Sequence, residues 1–227
     1  MKFRTISLET EISLMIERYS VGIDFGTLSA RAILVDTRSG REVFTSIYGY
    51  QDAVIDRSLP QSAEELPADY ALQNPADYIS AVKALLKDIT NNAGVRAEDI
   101  ISIGIDFTAC TVLPVDKNYK PLCMDPCFRK NPHSWVKLWK HHGAQAEADQ
   151  INETARRRGE TFLDYYGGSS SSEWFFAKVM EVYHKAPEIY EAAALFVEAG
   201  DWVIWALTGE MTTSTCMAGY KAFWNHE

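Results

Sequence analysis

The sequence predicts an α/β protein in which helices flank a mixed β-sheet. Between residues 21 and 50, short runs rich in β-branched and aromatic residues are separated by turn residues, which is typical of an antiparallel meander. A helical pattern from Pro75 and an apolar strand pattern at Ile100–Phe107 follow the meander. A strand, helix and strand in that order indicate a mixed sheet that is covered by helices.

The meander accounts for the first strands. They are predicted at Val21–Phe25, Ala30–Asp36 and Glu42–Tyr50, and Arg38-Ser39-Gly40 supplies the second turn. The next stretch, Gln51–Gln73, is polar and contains two prolines. Loops of that length are usually functional or flexible, so this stretch is predicted to be a long surface connection.

A helix and two strands are predicted next. Asn74 can cap a helix whose first residue is Pro75, whose apolar residues form one stripe, and which ends at Gly94. The following strand, Ile100–Phe107, is largely apolar and is predicted to be buried on both faces. Thr111–Val115 is predicted to continue as a strand after a polar bend.

The second half of the chain has a helical composition. Helices are predicted at Ser134–His141 and Gln145–Arg158, and Val203–Leu207 is predicted to continue the segment that begins at Glu198. On the first of these helices, Trp135 and Trp139 would lie one turn apart on one face. Packing in the core is the common role of such a pair.

Two interpretations remain open for the segment Gly167–Ser172. Its two glycines and four serines resemble a phosphate-binding loop at the start of a helix. Alternatively, Ser170 and Glu173 have the spacing of a capping box, which would account for this serine without a ligand.

The charge balance limits the kinds of partner. The 227 residues include 22 basic and 31 acidic side chains, a net charge of −9, which argues against a nucleic-acid surface and a polybasic membrane patch. No apolar run reaches the roughly 20 residues of a membrane span. Residues 1–20 are predicted to be an extension with a short amphipathic helix at Ile12–Tyr19, and their charged residues do not fit a secretion signal. A cytoplasmic location is expected.

The four cysteines allow two interpretations. Cys123 and Cys127 lie four residues apart with His133 nearby, so a metal site is conceivable, but a matching second pair is missing. Buried free thiols, Cys110 and Cys216 included, are the favoured interpretation.

The segment Val21–Arg31 has the form of a phosphate-binding hairpin. An apolar strand leads into Asp24, Gly26 and Thr27, and a second strand follows. Gly26 would allow the backbone to approach a phosphate closely, and Asp24 would hold Mg²⁺ through water. An ordinary tight turn, in which Asp24 and Thr27 bond to the local backbone, is the alternative.

Five segments in order resemble the FGGY carbohydrate kinases. They are Gly22–Thr27, Asp106–Thr111, Asn131–His142, Glu198–Trp202 and Ala218–Ala222. The resemblance extends from about Val21 to the end of the chain, and an ordered series of motifs is far more specific than a hairpin alone.

This resemblance implies an actin-like, ribonuclease-H-like ATPase lobe. It implies transfer of the γ-phosphate of MgATP to the 5-hydroxyl of L-ribulose, in arabinose catabolism. Asp24, Gly26 and Thr27 would serve phosphate and Mg²⁺, and Arg31 is a further candidate.

For the sugar, the resemblance implies contacts from Ala109 and Lys221. Trp139, together with Trp135, would form a wall of the pocket. The catalytic base is expected in a segment beyond Glu227, and residues 21–227 are expected to be an N-terminal domain without its C-terminal nucleotide lobe.

The missing lobe shapes the expected behaviour of the chain. The chain alone is expected to bind sugar weakly and to turn over poorly, and an apolar face left bare by the missing lobe would favour a homo-oligomer. A kinase for another pentulose or polyol, and a non-catalytic sugar-binding protein, are the alternative functions.

Overall fold

The computed structural model of the chain describes residues 17–60 and 62–224. Of the predicted extension, residues 1–16 lie outside the described residues, and with them most of the helix predicted at Ile12–Tyr19. The first strand already begins at Tyr19, two residues earlier than predicted, so the helix does not extend to that residue.

Eight strands and six α-helices occur in the described part of the chain. The strands are β1 (Tyr19–Phe25), β2 (Ser29–Asp36), β3 (Glu42–Gly49), β4 (Leu72–Gln73), β5 (Ile100–Phe107), β6 (Val112–Val115), β7 (Val136–Lys137) and β8 (Leu195–Glu198). The helices are α1 (Pro75–Asn92), α2 (Gln145–Arg158), α3 (Phe175–Lys185), α4 (Pro187–Ala192), α5 (Ala199–Thr208) and α6 (Thr215–Lys221).

The first sheet confirms the predicted mixed α/β class. Its strand order is β3-β2-β1-β5, in which β1, β2 and β3 form the antiparallel meander and β5 pairs with β1 in parallel. One face of β1 carries Val21, Ile23 and Phe25, all nearly inaccessible to solvent. Helices α1 and α5 pack in the same core, which also contains Leu85 and Trp202.

The predicted burial of β5 on both faces is wrong. Only Phe107 is buried, and Ile101 and Ile103 are 54% and 42% exposed. The physical reason is position: β5 pairs with β1 alone in the described residues, so it forms an edge of the sheet. An apolar sequence does not distinguish an edge strand from a central one.

Helix α1 follows its prediction closely. The Asn74 side chain accepts a hydrogen bond from the Ala76 amide (3.0 Å), and Pro75 is the first helical residue. The helix ends at Asn92, and Gly94 follows with a φ of +71°. Its buried stripe, which includes Leu85, covers the meander.

The second sheet has the order β4-β7-β6-β8 and is antiparallel throughout. It corrects two predictions. The segment 51–73 is more than a surface connection, because it contributes β4 and the buried side chains Ile55, Leu59 and Tyr70. The helix predicted at Ser134–His141 is replaced by a short 3₁₀ turn at Pro132–Ser134, by β7 and by turns.

Helices dominate the rest of the chain, as predicted. Helix α2 has the predicted bounds and ends at Gly159, and α5 ends at Gly209. The capping box is wrong, because α3 begins after Trp174 without a side-chain cap and the Ser170 hydroxyl is buried without a partner. Instead, the Ser170 backbone pairs with the Asn152 side chain.

The cysteines are free thiols, of which Cys110 and Cys123 are buried and Cys127 and Cys216 are exposed. Burial was therefore predicted correctly for only two of them. His133 bonds to Tyr70 and Lys137 and not to a thiol. No helix in the described ranges is long and apolar enough to cross a membrane.

Candidate functional site

The hairpin between β1 and β2 is a tight turn that the rest of the fold holds in place. The Gly26 amide donates to the Ser29 carbonyl (3.0 Å), and a Cβ at Gly26 would lie 3.2 Å from that oxygen. The Gly26 amide therefore closes the turn and is not available to a phosphate. The amides of Thr27 and Leu28 have no acceptor among the described residues and remain as donors for an anion.

Two carboxylates lie side by side at the ends of β1 and β5. Asp24 pairs in register with Asp106, and both residues are exposed. Arg31 is the register partner of Asp24 on β2. These three side chains line an open cavity of about 530 Å³ on the face of the sheet opposite the α1 core.

Sequence reasoning selected Asp24 but did not select Asp106 as a site residue. A signal was present, because the tetrapeptide Gly-Ile-Asp-Phe occurs at both Gly22–Phe25 and Gly104–Phe107. The two copies lie in parallel strands and pair residue for residue. A repeated motif at the carboxyl ends of two neighbouring parallel strands places its polar residues together.

A divalent cation is the metal that this arrangement suits. No group of three or more His, Cys, Asp or Glu side chains within residues 17–60 and 62–224 could hold a metal by itself. Mg²⁺ typically uses one or two carboxylates and completes its shell with water and substrate phosphates. Asp24 and Asp106 fit that donor set.

Trp139 connects the hairpin to the second sheet. Its indole Nε1 donates to the Thr27 hydroxyl (3.1 Å), and the ring is 37% exposed. On the other side of the turn, the Gln73 side chain in β4 donates to the Thr27 carbonyl (2.8 Å). Thr27 is thus held by distant side chains, so the alternative of a purely local turn does not describe it.

Ala109 lies in the loop that follows β5, and that loop is held by a buried carboxylate. The Glu198 carboxylate accepts the amides of Cys110 (3.2 Å) and Thr111 (3.1 Å). Cys110 has a φ of +63°, a left-handed conformation that is unusual for a residue other than glycine. Burial raises the pKa of Glu198 to about 8, although the charge of Lys178 opposes this rise.

Lys178 contacts the same loop through a carbonyl group, whereas Glu198 contacts it through amides. Its ammonium group is fully buried and donates to the carbonyls of Cys110 and Leu138 (2.8 Å for the second). Burial lowers the pKa of Lys178 to about 7. Neither Lys178 nor Glu198 was among the residues predicted for the site.

Lys221 lies beside Glu173, which in turn lies beside His142. Its ammonium group is 3.7 Å from the Glu173 carboxylate, whose other oxygen is 3.7 Å from His142 Nε2. Burial raises the pKa of the Cys110 thiol to about 12, and Lys221 is among the cations that oppose the rise.

Trp135 is placed differently from Trp139. It is 4% exposed, belongs to an apolar cluster with Tyr70 and Leu72, and donates from Nε1 to the Arg129 carbonyl (2.9 Å). The prediction that the two tryptophans share a helical face is wrong, because no helix forms there. The structure does not bring Trp135 together with Thr27.

A buried ionic cluster lies next to the loop that follows β7 and contains Trp139, which we call the Trp139 loop. The Glu181 carboxylate is 2.9 Å from Lys137 Nζ and 2.8 Å from His141 Nε2, and these three side chains are inaccessible or nearly so. Burial lowers the pKa of His141 to about 4, and Lys137 adds to this. Burial alone would raise the pKa of Glu181, but the hydrogen bond from His141 and the charge of Lys137 hold it well below its usual range.

Comparison with known proteins decides the family. The model for the N-terminal domain of the FGGY family of carbohydrate kinases matches residues 19–227. The chain belongs to this family. A ribulokinase from Geobacillus thermodenitrificans is 49% identical over 211 residues, and one from Bacillus licheniformis is 50% identical over 200 residues.

The alignments with these two ribulokinases cover only part of the length of each relative. The alignment includes 93% of this chain but 37% of the Geobacillus protein, and 88% of this chain but 36% of the Bacillus protein. Among solved structures, a xylulose kinase from Rhodospirillum rubrum aligns with a TM-score of 0.68 at 18% identity, over 88% of this chain and 36% of that one. At that identity the likeness shows the fold alone, and it agrees with the predicted actin-like class.

Proposed function

We propose that the chain provides the phosphate-binding and sugar-binding part of an ATP-dependent kinase that phosphorylates L-ribulose at its 5-hydroxyl. The observation that carries the proposal is the hydrogen bond from Trp139 to Thr27, which brings the predicted sugar wall against the predicted phosphate turn. The similarity to ribulokinases supports the choice of sugar.

In this proposal, each part of the site has a separate task. The Thr27 and Leu28 amides and the Arg31 side chain face the phosphates, and Asp24 and Asp106 hold Mg²⁺. The metal neutralises charge on the phosphates during transfer. Trp139 presents an apolar ring to the C–H surface of the sugar. Ala109 and Lys221 also contact the sugar, and the Lys221 ammonium group is a donor for its hydroxyls.

The proton of the sugar hydroxyl needs an acceptor, because phosphoryl transfer requires a group that orients the attacking oxygen. Asp24 and Asp106 are assigned to the metal, and Glu198 is occupied by two amides. The proposal therefore assigns the base, and most of the contacts to the nucleotide, to the part of the ribulokinases that this chain does not match. The proposal also includes a cytoplasmic location and a role in arabinose catabolism, the latter supported by the similarity to ribulokinases.

The test is a chimera in which this chain replaces the matching 37% of the Geobacillus thermodenitrificans ribulokinase. We expect ADP release that depends on both Mg²⁺ and L-ribulose, at a rate within tenfold of the intact relative. A panel with D-xylulose, D-ribulose and glycerol measures selectivity in the same assay.

Three outcomes distinguish the alternatives. Faster turnover of another sugar would replace L-ribulose with that pentulose or polyol. Sugar-dependent thermal stabilisation of a folded but inactive chimera would favour a non-catalytic sugar-binding role. A folded chimera that neither binds L-ribulose nor turns it over would refute the proposal.

A further inference from the structure

We infer that Lys178 is a positioning residue that fixes the Ala109 loop against the Trp139 loop. The inference rests on the proposed function, in which Ala109 and Trp139 both contact the sugar. Ala109 lies in the connection between the two sheets after β5, and Trp139 follows β7 in the second sheet. Val112, three residues after Ala109, pairs with Lys137, two residues before Trp139, so the β6–β7 pairing already brings the two loops close together. Lys178 adds a second link between them, beyond the end of that pairing.

Lys178 bonds directly to both loops. Its Nζ donates to the carbonyl of Cys110, the neighbour of Ala109, and to the carbonyl of Leu138, the neighbour of Trp139. The bonds are to backbone atoms, so they fix the path of each loop and do not depend on the neighbouring side chains. A movement of either carbonyl would displace the residue beside it.

The Ala109 loop is held on both sides of one peptide segment. Lys178 donates a hydrogen bond to the Cys110 carbonyl, and the Glu198 carboxylate accepts hydrogen bonds from the amides of Cys110 and Thr111. Between these contacts, Cys110 keeps its left-handed backbone conformation. Such conformations persist when the surrounding contacts over-determine them, and they occur often at ligand sites.

Stability alone does not explain a lysine at this position. Lysine is seldom fully buried, and its side chain here is 0% exposed. Taking an ammonium group out of water costs free energy, and hydrogen bonds to acceptors at fixed positions offset that cost only in part. Methionine would fill much of the same space, but it could not hold two carbonyls at a fixed separation.

One face of helix α3 forms several hydrogen bonds to the Trp139 loop. Lys178, Glu181 and Lys185 lie at intervals of three and four residues and so share one face of the helix. Glu181 bonds to His141 and Lys185 donates to the Gly143 carbonyl (2.7 Å). Lys178 extends the same polar face to the Ala109 loop.

The first experiment uses hydrogen exchange in the 227-residue chain. Lys178→Met is compared with Val182→Ala, which lies one turn further along α3 in a separate apolar cluster with Leu122 and Ile189. We expect Lys178→Met to reduce protection of the amides of residues 110–111 and of His141 by at least tenfold. Val182→Ala should leave the protection of these amides unchanged relative to the rest of the chain. Equal effects of both variants would overturn the inference.

The second experiment measures kinetics in the chimera. We expect Lys178→Met to raise the KM for L-ribulose about tenfold and to leave the KM for ATP within twofold, and Val182→Ala to change neither. An unchanged KM for L-ribulose in an active Lys178→Met chimera would overturn the inference. An inactive parent chimera would count against the proposed function, and hydrogen exchange would then decide the positioning role.

A milder variant covers the case in which Lys178→Met does not fold. Glu198→Gln leaves one oxygen for the two amides that the carboxylate now accepts. We expect smaller changes in the same direction as for Lys178→Met. The KM for L-ribulose should rise threefold or more, and the amides of residues 110–111 should lose protection against hydrogen exchange. Parent-like values for both measurements would refute the inference.

Discussion

Asp24 is an exposed carboxylate, so its substitution is a clear test of the proposed phosphate site. We predict that Asp24→Asn in the chimera lowers kcat about a hundredfold, because metal and phosphate charge is no longer balanced at the hairpin. The KM for L-ribulose should stay within threefold of the parent. Steady-state ADP release at saturating Mg²⁺ measures both constants.

The matched control for this substitution is Asp56→Asn, which changes an exposed aspartate outside the site. It should have parent-like kinetics, and the melting temperatures of both variants should agree with that of the parent. A parent-like kcat for Asp24→Asn would contradict the assignment of Asp24 to metal and phosphate.

The contact between Thr27 and Trp139 is open to a double-mutant cycle. We predict that Thr27→Val and Trp139→Phe, measured by urea unfolding of the 227-residue chain, show a coupling energy of about 1 kcal/mol, the usual net value of one hydrogen bond. Thr27→Val paired with Trp135→Phe is the control, because Trp135 bonds to Arg129 instead. Additive effects in the first cycle would show that the two parts of the site are not joined.

Individual residues differed in how far the sequence could predict their roles. Asp24 and Gly26 stand out because a strand ends in a carboxylate and a glycine, and the Gly-Ile-Asp-Phe repeat would have added Asp106. Lys178 could not be found in this way. A lone lysine in a helix is usually solvated, and its burial depends on two carbonyls that are 40 and 68 residues away in the chain.

Helix α3 illustrates how the elements of this chain differ from their local patterns. Its Lys178 and Glu181 face inward, so its buried side is partly polar and the usual apolar stripe is incomplete. Another segment, Ser134–His141, has a helical composition but forms β7 and turns. Pairing with β4 and β6 determines that outcome, and local spacing does not reveal tertiary pairing.

The buried cluster at α3 predicts a pH-dependent stability. Burial lowers the pKa of His141 to about 4, and the pKa of His133 falls to about 3 for the same reason. The unfolded chain therefore binds more protons than the folded chain below about pH 6.5. The free energy of unfolding should fall between pH 6.5 and pH 4, by up to about 3 kcal/mol for His141 alone.

Urea unfolding at pH 7.0, 6.0 and 5.0 measures this slope. The Glu181 carboxylate, whose pKa is lowered in the folded state, adds a further loss only below about pH 4.5. His141→Asn should make the slope between pH 6 and pH 5 shallower by about 1.2 kcal/mol per pH unit, whatever its effect at pH 7. His142→Gln, which changes a ring that is 53% exposed, should leave the slope unchanged. An identical slope in His141→Asn would contradict the burial of a neutral His141.

At the scale of the whole molecule, strand β5 has no partner on its outer side among residues 17–60 and 62–224. Strand β5 is an edge, and Ile101 and Ile103 project from it with 54% and 42% of their surface exposed. The sequence predicted this strand but not its position in the sheet, because the sequence pattern does not show which neighbour is lacking. An exposed, apolar edge strand is a template for pairing with another chain.

We therefore predict that the 227-residue chain self-associates through β5. Size-exclusion chromatography with light scattering should show a dimer or larger species at 50 µM that dissociates on dilution. Ile101→Lys should shift the dissociation midpoint upward at least tenfold, because a charge on an edge strand opposes edge-to-edge pairing. Leu195→Lys, which changes a residue at the start of β8 that is 45% exposed, should leave the midpoint unchanged. A chain that is monomeric at 50 µM would show that β5 does not pair in solution, and equal shifts in the two variants would place the contact elsewhere.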